Sequence, residues 1–434
     1  MFLRQWRSLW VLILVLFVVL AGCASNTAQP TPQPKQEAKA VTPVEIEFWN
    51  YWDGNNGKVI SALVEQFNQS HPNIKVKNVF LPWGELLSKL QASIAGKNPP
   101  AVAAGDLAWM AKLNRSGALI DLTDAAKKAN LDLGDFYPAL LEYDRYQGKL
   151  QGLPISTNNL ALFYNKDLFK KAGLDPEKPP KTWDELRAYA KKITALGGGI
   201  KGFEIYTVAG DSGEGVTWQF QPYLWQAGGE YLADNYTKPG FNNAAGEKAL
   251  KFLVDLIRVD KVAEAGKWGA FDKGQAGMRI DGSWMVGIWA GQTPFDFGTA
   301  MIPIPEGGTR ATNMGGEHIF VFQTTPEKQA AATEFALWFA STPVQVDWDM
   351  RTGFMPVRES VSNDAKYREW LKKEPRLLPF VEQQQYAHAR PPIPEYPDTS
   401  LAFAKELEKA FYGKVTVKEA LANAEKAVTA ALKK

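Results

Sequence analysis

The residues with chemistry to offer are aromatic rings set beside carboxylates and amides: the 434 residues include 15 Trp, far above ordinary usage. A flat ring packs on apolar C–H faces, while Asp, Asn, Glu and Arg beside it accept from or donate to hydroxyls in planar pairs. Trp52 and Asp53 closely follow the alternating segment Val44-Glu45-Ile46-Glu47-Phe48, and Asp106 and Trp109 follow the short apolar segment Ala101 to Ala103. Strand ends are where an open α/β sheet presents its ligand-facing loops. Each pair is equally readable as loop structure, with Trp49 packed underneath. Asp211, Glu214, Trp218 and Trp225 bring polar and aromatic groups into a second region. Trp218 and Trp225 share one helical face there, which makes core packing the stronger role for at least one of them. Trp284, in Asp281-Gly282-Ser283-Trp284, follows the strand Met278-Arg279-Ile280. Such a set suits non-covalent recognition of a polyhydroxylated molecule. Carboxylates beside aromatics also serve glycoside hydrolysis, but no acid and base pair stands out among Asp53, Asp106, Glu204, Asp211 and Asp281.

Composition removes other chemistries. Arg4 and Arg7 lie in the first 22 residues, which hold no acid, so the remainder of the chain balances at 47 bases and 47 acids. Such a balance argues against nucleic acid or an anionic membrane surface as the main partner. The single cysteine excludes an intramolecular disulfide and any CxxC chemistry. His71, His318 and His388 are too scattered for a His-x-x-x-His pair, so no metal site is expected, carboxylate-held calcium being left open. Nothing asks for a cofactor.

Residues 1–22 read as an export signal: Arg4 and Arg7, then an uncharged run from Leu9 to Ala21 that is short for a membrane span. Leu20-Ala21-Gly22-Cys23 resembles the lipobox of bacterial lipoproteins, which implies cleavage before Cys23 and lipidation of its sulfur. Residues 23–43, with Pro30, Pro32 and Pro34 among small polar residues, read as a flexible tether.

The elements that must position the rings follow. Alternation predicts strands at Val44 to Phe48 and Ile74 to Val79, helical spacing predicts helices at Val59 to Phe67 and Trp83 to Ala95, and Pro99-Pro100-Ala101-Val102 opens another strand. That order signals an α/β domain with a mostly parallel sheet. Thr182 to Leu196 is an amphipathic helix with a capping box at Thr182 and Glu185, closed by Gly197-Gly198-Gly199. Further helices are predicted at Ala245 to Arg258, Pro326 to Ala340, Ser400 to Tyr412 and Val417 to Leu432. No internal repeat is visible.

Several segments fall in order across Val44 to Lys434: Phe48-Trp49-Asn50-Tyr51-Trp52, Leu90 to Pro100, Gly148 to Pro154, Tyr164 to Asp175 running into Pro180 to Leu186, Phe271 to Trp284, Gly315-Gly316 and Met355 to Arg358. Together they resemble the extracellular solute-binding proteins of ABC importers, in the carbohydrate-binding group related to maltose-binding protein. The resemblance implies an α/β, two-lobe periplasmic-binding-protein-like fold of type II, with lobes of 44–157 plus 316–352 and of 158–315 plus 353–434. Three hinge crossings would fall near Ser156 to Asn159, Ala311 to Gly316 and Arg351 to Phe354. A ligand closed between lobes suits a pocket at a domain interface. By the same resemblance, Trp284 stacks on a sugar ring, Asn158 and Asn159 reach the cleft or satisfy hinge backbone, Gly315 and Gly316 bring bare backbone to the ligand, and Arg351 and Arg358 clamp hydroxyls or pair with surface acids. The implied protein is a non-catalytic, monomeric carbohydrate receptor delivering cargo to an ABC permease, anchored through Cys23 at a cell surface or facing a periplasm. Glycerol 3-phosphate or another polyol phosphate is the alternative cargo.

Overall fold

The strand Val44–Asn50 buries Ile46, Phe48 and Asn50 and leaves Glu45 and Glu47 in solvent, as its alternation requires. The computed structural model describes residues 42–211, 214–289 and 291–433. The expected leader, Cys23 and the tether up to residue 41 lie outside the described residues. Helix Gly54–Ser70, strand Ile74–Phe80, helix Trp83–Ala95 and strand Val102–Asp106 complete the predicted alternation. The first helix starts at Gly54, ahead of the apolar stripe that begins at Val59.

One sheet runs in the order Ala387–Ala389, Thr312–Val321, Val102–Asp106, Val44–Asn50, Ile74–Phe80, and Leu153–Asn158 also pairs with Thr312–Val321. Val44–Asn50 is parallel to both neighbours, whereas the ten-residue strand Thr312–Val321 is antiparallel to Val102–Asp106 and to Leu153–Asn158. A second, five-stranded sheet runs Ala263–Gly266, Phe203–Tyr206, Met278–Gly282, Leu160–Asn165, Phe297–Ala300. Leu160–Asn165 is antiparallel to both of its neighbours and Phe203–Tyr206 parallel to both of its own. Two α/β sheets are thus linked through the turn at Asn158 to Leu160. Asn158 pairs with Gly315, Thr157 pairs with Gly316, and Thr157 exchanges backbone hydrogen bonds of 3.1 and 2.9 Å with Met355. Thr157, in the first stretch expected to cross, thus lies beside Gly316 in the second and beside Met355, one residue past the third.

The Thr182 capping box forms, its hydroxyl accepting from the Glu185 N–H at 3.1 Å. Helices Trp183–Thr194, Ala244–Arg258, Pro326–Phe339 and Val417–Ala431 lie where their periodicity puts them. The helix expected from Ser400 starts instead at Tyr396, because Pro397 is tolerated in a first turn where its missing N–H costs nothing. Among the described residues no helix is long and apolar enough to cross a membrane.

Candidate functional site

Loops at the strand ends of both sheets enclose a cavity of about 440 Å³, a volume ordinary for a small-molecule site. Tyr51, Trp52 and Asp53 reach it from the end of Val44–Asn50, Phe80 and Trp83 from the end of Ile74–Phe80, and Asp106 from the end of Val102–Asp106. The second sheet supplies Tyr206, Trp268, Asp281 and Trp284, and the first turns of helix Glu214–Gln226 supply Glu214, Trp218 and Gln219. Asn158, Glu317, Phe354 and Arg390 close the lining. Among the described residues it holds nine aromatic rings and five carboxylates against one guanidinium.

That guanidinium is already saturated. Arg390 is 1% exposed. It donates to both Asp106 oxygens at 2.5 and 3.2 Å and to Glu214 Oε1 at 2.8 Å, and it lies 4.5 Å over the Trp218 ring. Glu214 also accepts from the Tyr396 hydroxyl at 3.0 Å and the Ser400 hydroxyl at 2.6 Å. Burial works against the Arg390 charge, but Asp106 and Glu214 outweigh it and hold its proton more firmly than usual. Burial raises Glu214 despite the pull of Arg390. A fork that links Val102–Asp106 to Glu214–Gln226 fixes two walls of the cavity with bidentate geometry.

Glu317 lies beside this network. It accepts from the Tyr51 hydroxyl at 2.9 Å and from the Ser156 hydroxyl. Burial, helped by Asp106 and opposed by the Ser156 and Tyr51 hydroxyls and by Arg390, pushes its carboxyl up from 4.5 to about 7. The native state therefore binds a proton between those values that the unfolded chain has released. The resulting stabilisation is complete below about pH 4.5 and is lost as pH rises through 7. Glu317→Gln, which mimics the neutral form, is expected to match the parent near pH 4.5 and to exceed it by up to about 3 kcal/mol at pH 8. Urea midpoints of the two proteins across this range check it, and parallel curves would refute it.

On the opposite wall, the Trp284 ring lies over Gly282, where any Cβ would overlap it, and 6.4 Å from Phe354. Asp281 accepts from the Gly282 N–H at 2.8 Å and pairs with Arg279, and burial outweighs that pairing to raise its carboxyl. Trp268 sits 5.4 Å from Tyr206. Flat rings alternating with acceptors on facing walls can hold a polar guest by stacking and by its hydroxyls.

The sequence profile of the bacterial extracellular solute-binding proteins matches residues 51–346. The chain belongs to that family. A cyclic α-maltosyl-1,6-maltose binding protein from Arthrobacter globiformis is 45% identical, with a TM-score of 0.76 over 90% of this chain and 99% of the other. Maltose-bound MalE3 of T. maritima is 27% identical, with a TM-score of 0.79 over 89% of this chain and 99% of the other. The sn-glycerol-3-phosphate-binding periplasmic protein UgpB of Yersinia pseudotuberculosis is 27% identical over 416 residues, which is 90% of this chain and 92% of its own. The protein is thus a solute-binding protein of the ABC-importer class with the two-lobe type II fold.

Seven of the candidates read from the sequence meet around the cavity of this solute-binding protein: Trp52, Asp53, Asp106, Asn158, Glu214, Trp218 and Trp284. Asp53 holds the N-cap position of helix Gly54–Ser70 but makes no capping hydrogen bond, which leaves its carboxylate to the cavity. Trp52 is mostly packed, edge-on to Trp348 at 4.7 Å. Asn159, Trp225, Gly315, Gly316, Arg351 and Arg358 lie off the wall. Asn159 points away, donating to the Phe380 carbonyl at 2.9 Å and to Gln384 at 2.8 Å, which is the backbone-satisfying role. Trp225 stacks on His388 at 4.6 Å. A Cβ on Gly315 would overlap Asn158 and crowd Trp218, so this glycine makes room for two side chains that do reach the cavity. Gly316, at φ +151°, has no such room because the Ser156 carbonyl of the paired strand stands against it. Arg351 pairs with Asp347 at 2.9 Å, and buried Arg358 with Asp135 at 2.7 Å. Asp211 ends the turn Ala209–Asp211, and its side chain is outside the described residues.

Sequence reasoning missed Arg390, Glu317, Tyr206 and Trp268. Trp268 carried a usable signal, since it follows Ala263–Gly266 as Trp52 follows Val44–Asn50. Arg390 carried none, because its partners are 284 and 176 residues away.

Proposed function

We propose that the protein captures a neutral carbohydrate, mono- or oligosaccharide, in this cavity and releases it chemically unchanged to an ABC permease. One observation carries the reading. Among the described residues the lining has nine rings and five carboxylates, and its one guanidinium is already shared between Asp106 and Glu214. A phosphate dianion wants free cationic donors, whereas a neutral polyol wants platforms and acceptors. The same observation favours sugar over glycerol 3-phosphate, the solute named for the UgpB relatives, and agrees with the maltosyl sugars named for the Arthrobacter and T. maritima proteins. Trp52, Asp53, Asp106, Asn158, Trp218 and Trp284 would contact the guest, joined by Trp268, Asp281 and Glu317. Lobes of 44–157 plus 316–352 and of 158–315 plus 353–434 would close on it, in a monomer tethered through lipidated Cys23 outside the cytoplasm.

Calorimetric titration with maltose, maltotriose, cyclic α-maltosyl-1,6-maltose and glycerol 3-phosphate tests the reading. The expected result is saturable binding of at least one sugar, with no displacement by the phosphate ester and with the sugar recovered intact after long incubation. Silence toward every sugar, displacement by glycerol 3-phosphate or cleavage of the recovered sugar would each overturn it.

A further inference from the structure

We infer that Arg279, which does not reach the cavity, is a positioning residue that sets ligand affinity by holding Trp268 and Asp281 against their own burial and mobility. The inference rests on the carbohydrate reading of the cavity. Arg279 sits on Met278–Gly282, 2% exposed, in register with Glu204 on the neighbouring strand. Its guanidinium lies 3.9 Å from the centre of the Trp268 ring and 5.1 Å from that of Trp289. One nitrogen pairs with Asp281, two residues on and therefore on the same face of the strand. The other lies 3.6 Å from Glu204 and 3.3 Å from Asp272. Glu204 in turn accepts from the backbone N–H groups of Gly269, Ala270 and Phe271 at 2.9, 2.7 and 3.2 Å, the turn that immediately follows Trp268.

One cation thus controls two different cavity groups. Stacked behind the indole, it fixes the plane that Trp268 offers to a guest, and a planar guanidinium does this where an ammonium would not. Paired with Asp281, it opposes the burial that works to protonate that carboxylate at the cavity wall. Through Glu204 it also pins the backbone on which Trp268 rides. Affinity is lost when such supporting groups are removed even though none touches the ligand.

The test is a mutant cycle read by titration of maltose and cyclic α-maltosyl-1,6-maltose. Arg279→Met is expected to weaken binding about tenfold or more, and Arg279→Lys, which keeps the charge but not the flat stack, to fall between it and the parent. In a Trp268→Ala, Asp281→Asn background, either Arg279 variant is expected to change the dissociation constant less than twofold. Parent-like affinity in Arg279→Lys and Arg279→Met, or an equal loss in both backgrounds, overturns the inference. If Arg279→Met does not fold, the Lys variant alone decides by the same comparison. Failure of the parent to bind any sugar would instead sink the carbohydrate reading itself.

Discussion

Arg390→Met is expected to cost the folded body about 3 to 5 kcal/mol, because it strands two carboxylates in an interior they cannot leave. Asp106 ends Val102–Asp106 and Glu214 starts Glu214–Gln226, so neither can turn out to water without breaking the element it belongs to. Their Arg390 partner is 1% exposed and donates to both. Methionine fills much of the arginine stem, so the loss would be electrostatic rather than steric. Urea denaturation at pH 7 would show a lowered midpoint with an unchanged slope. A triple variant, Asp106→Asn, Glu214→Gln, Arg390→Met, has no charge left to strand and should recover most of the loss. An unchanged midpoint in the single variant, or a triple variant as weak as the single, would refute the account.

The second large effect falls on binding. Trp284→Ala is expected to weaken sugar affinity about 30-fold or more, equivalent to about 2 kcal/mol. The indole lies over Gly282 and beside Phe354 at the cavity wall, so its plane is set by backbone rather than by flexible neighbours. A ring held in one plane loses little entropy on stacking, which is why aromatic anchors dominate binding energies. Trp284→Phe should keep a smaller platform and give up only part of the affinity. Calorimetry with the sugar panel measures both, and affinities within twofold of the parent for Trp284→Ala would exclude the ring from the contact.

Local chemistry made much of this legible. Alternation at Val44 to Phe48 and the Thr182 capping box gave real elements, and the rule that strands point ligand-facing loops past their ends found Asp53, Asp106 and Trp284. What stayed hidden was long-range pairing. Trp225 and Trp218 share a helix and one face, yet only Trp218 is turned to the cavity, because Trp225 meets His388 from a distant segment. Glu317 looks like an ordinary charged residue in a strand until Tyr51 and Ser156 are brought to it. Gly315 looks like a gap left for a guest, whereas the space is taken by Asn158 and Trp218. In each case the deciding neighbours are 97 or more residues away, where no periodicity reaches.

The strand Thr312–Val321 carries a consequence for how the chain assembles. It is the hub of its sheet, with Val102–Asp106, Leu153–Asn158 and Ala387–Ala389 all registered on it. A growing polypeptide therefore cannot finish that sheet until residue 389 of 434 is available, and pairings across such separations close slowly. That sheet therefore stays a strand short until late, whereas the five-stranded one, whose strands all fall between Leu160 and Ala300, can close first.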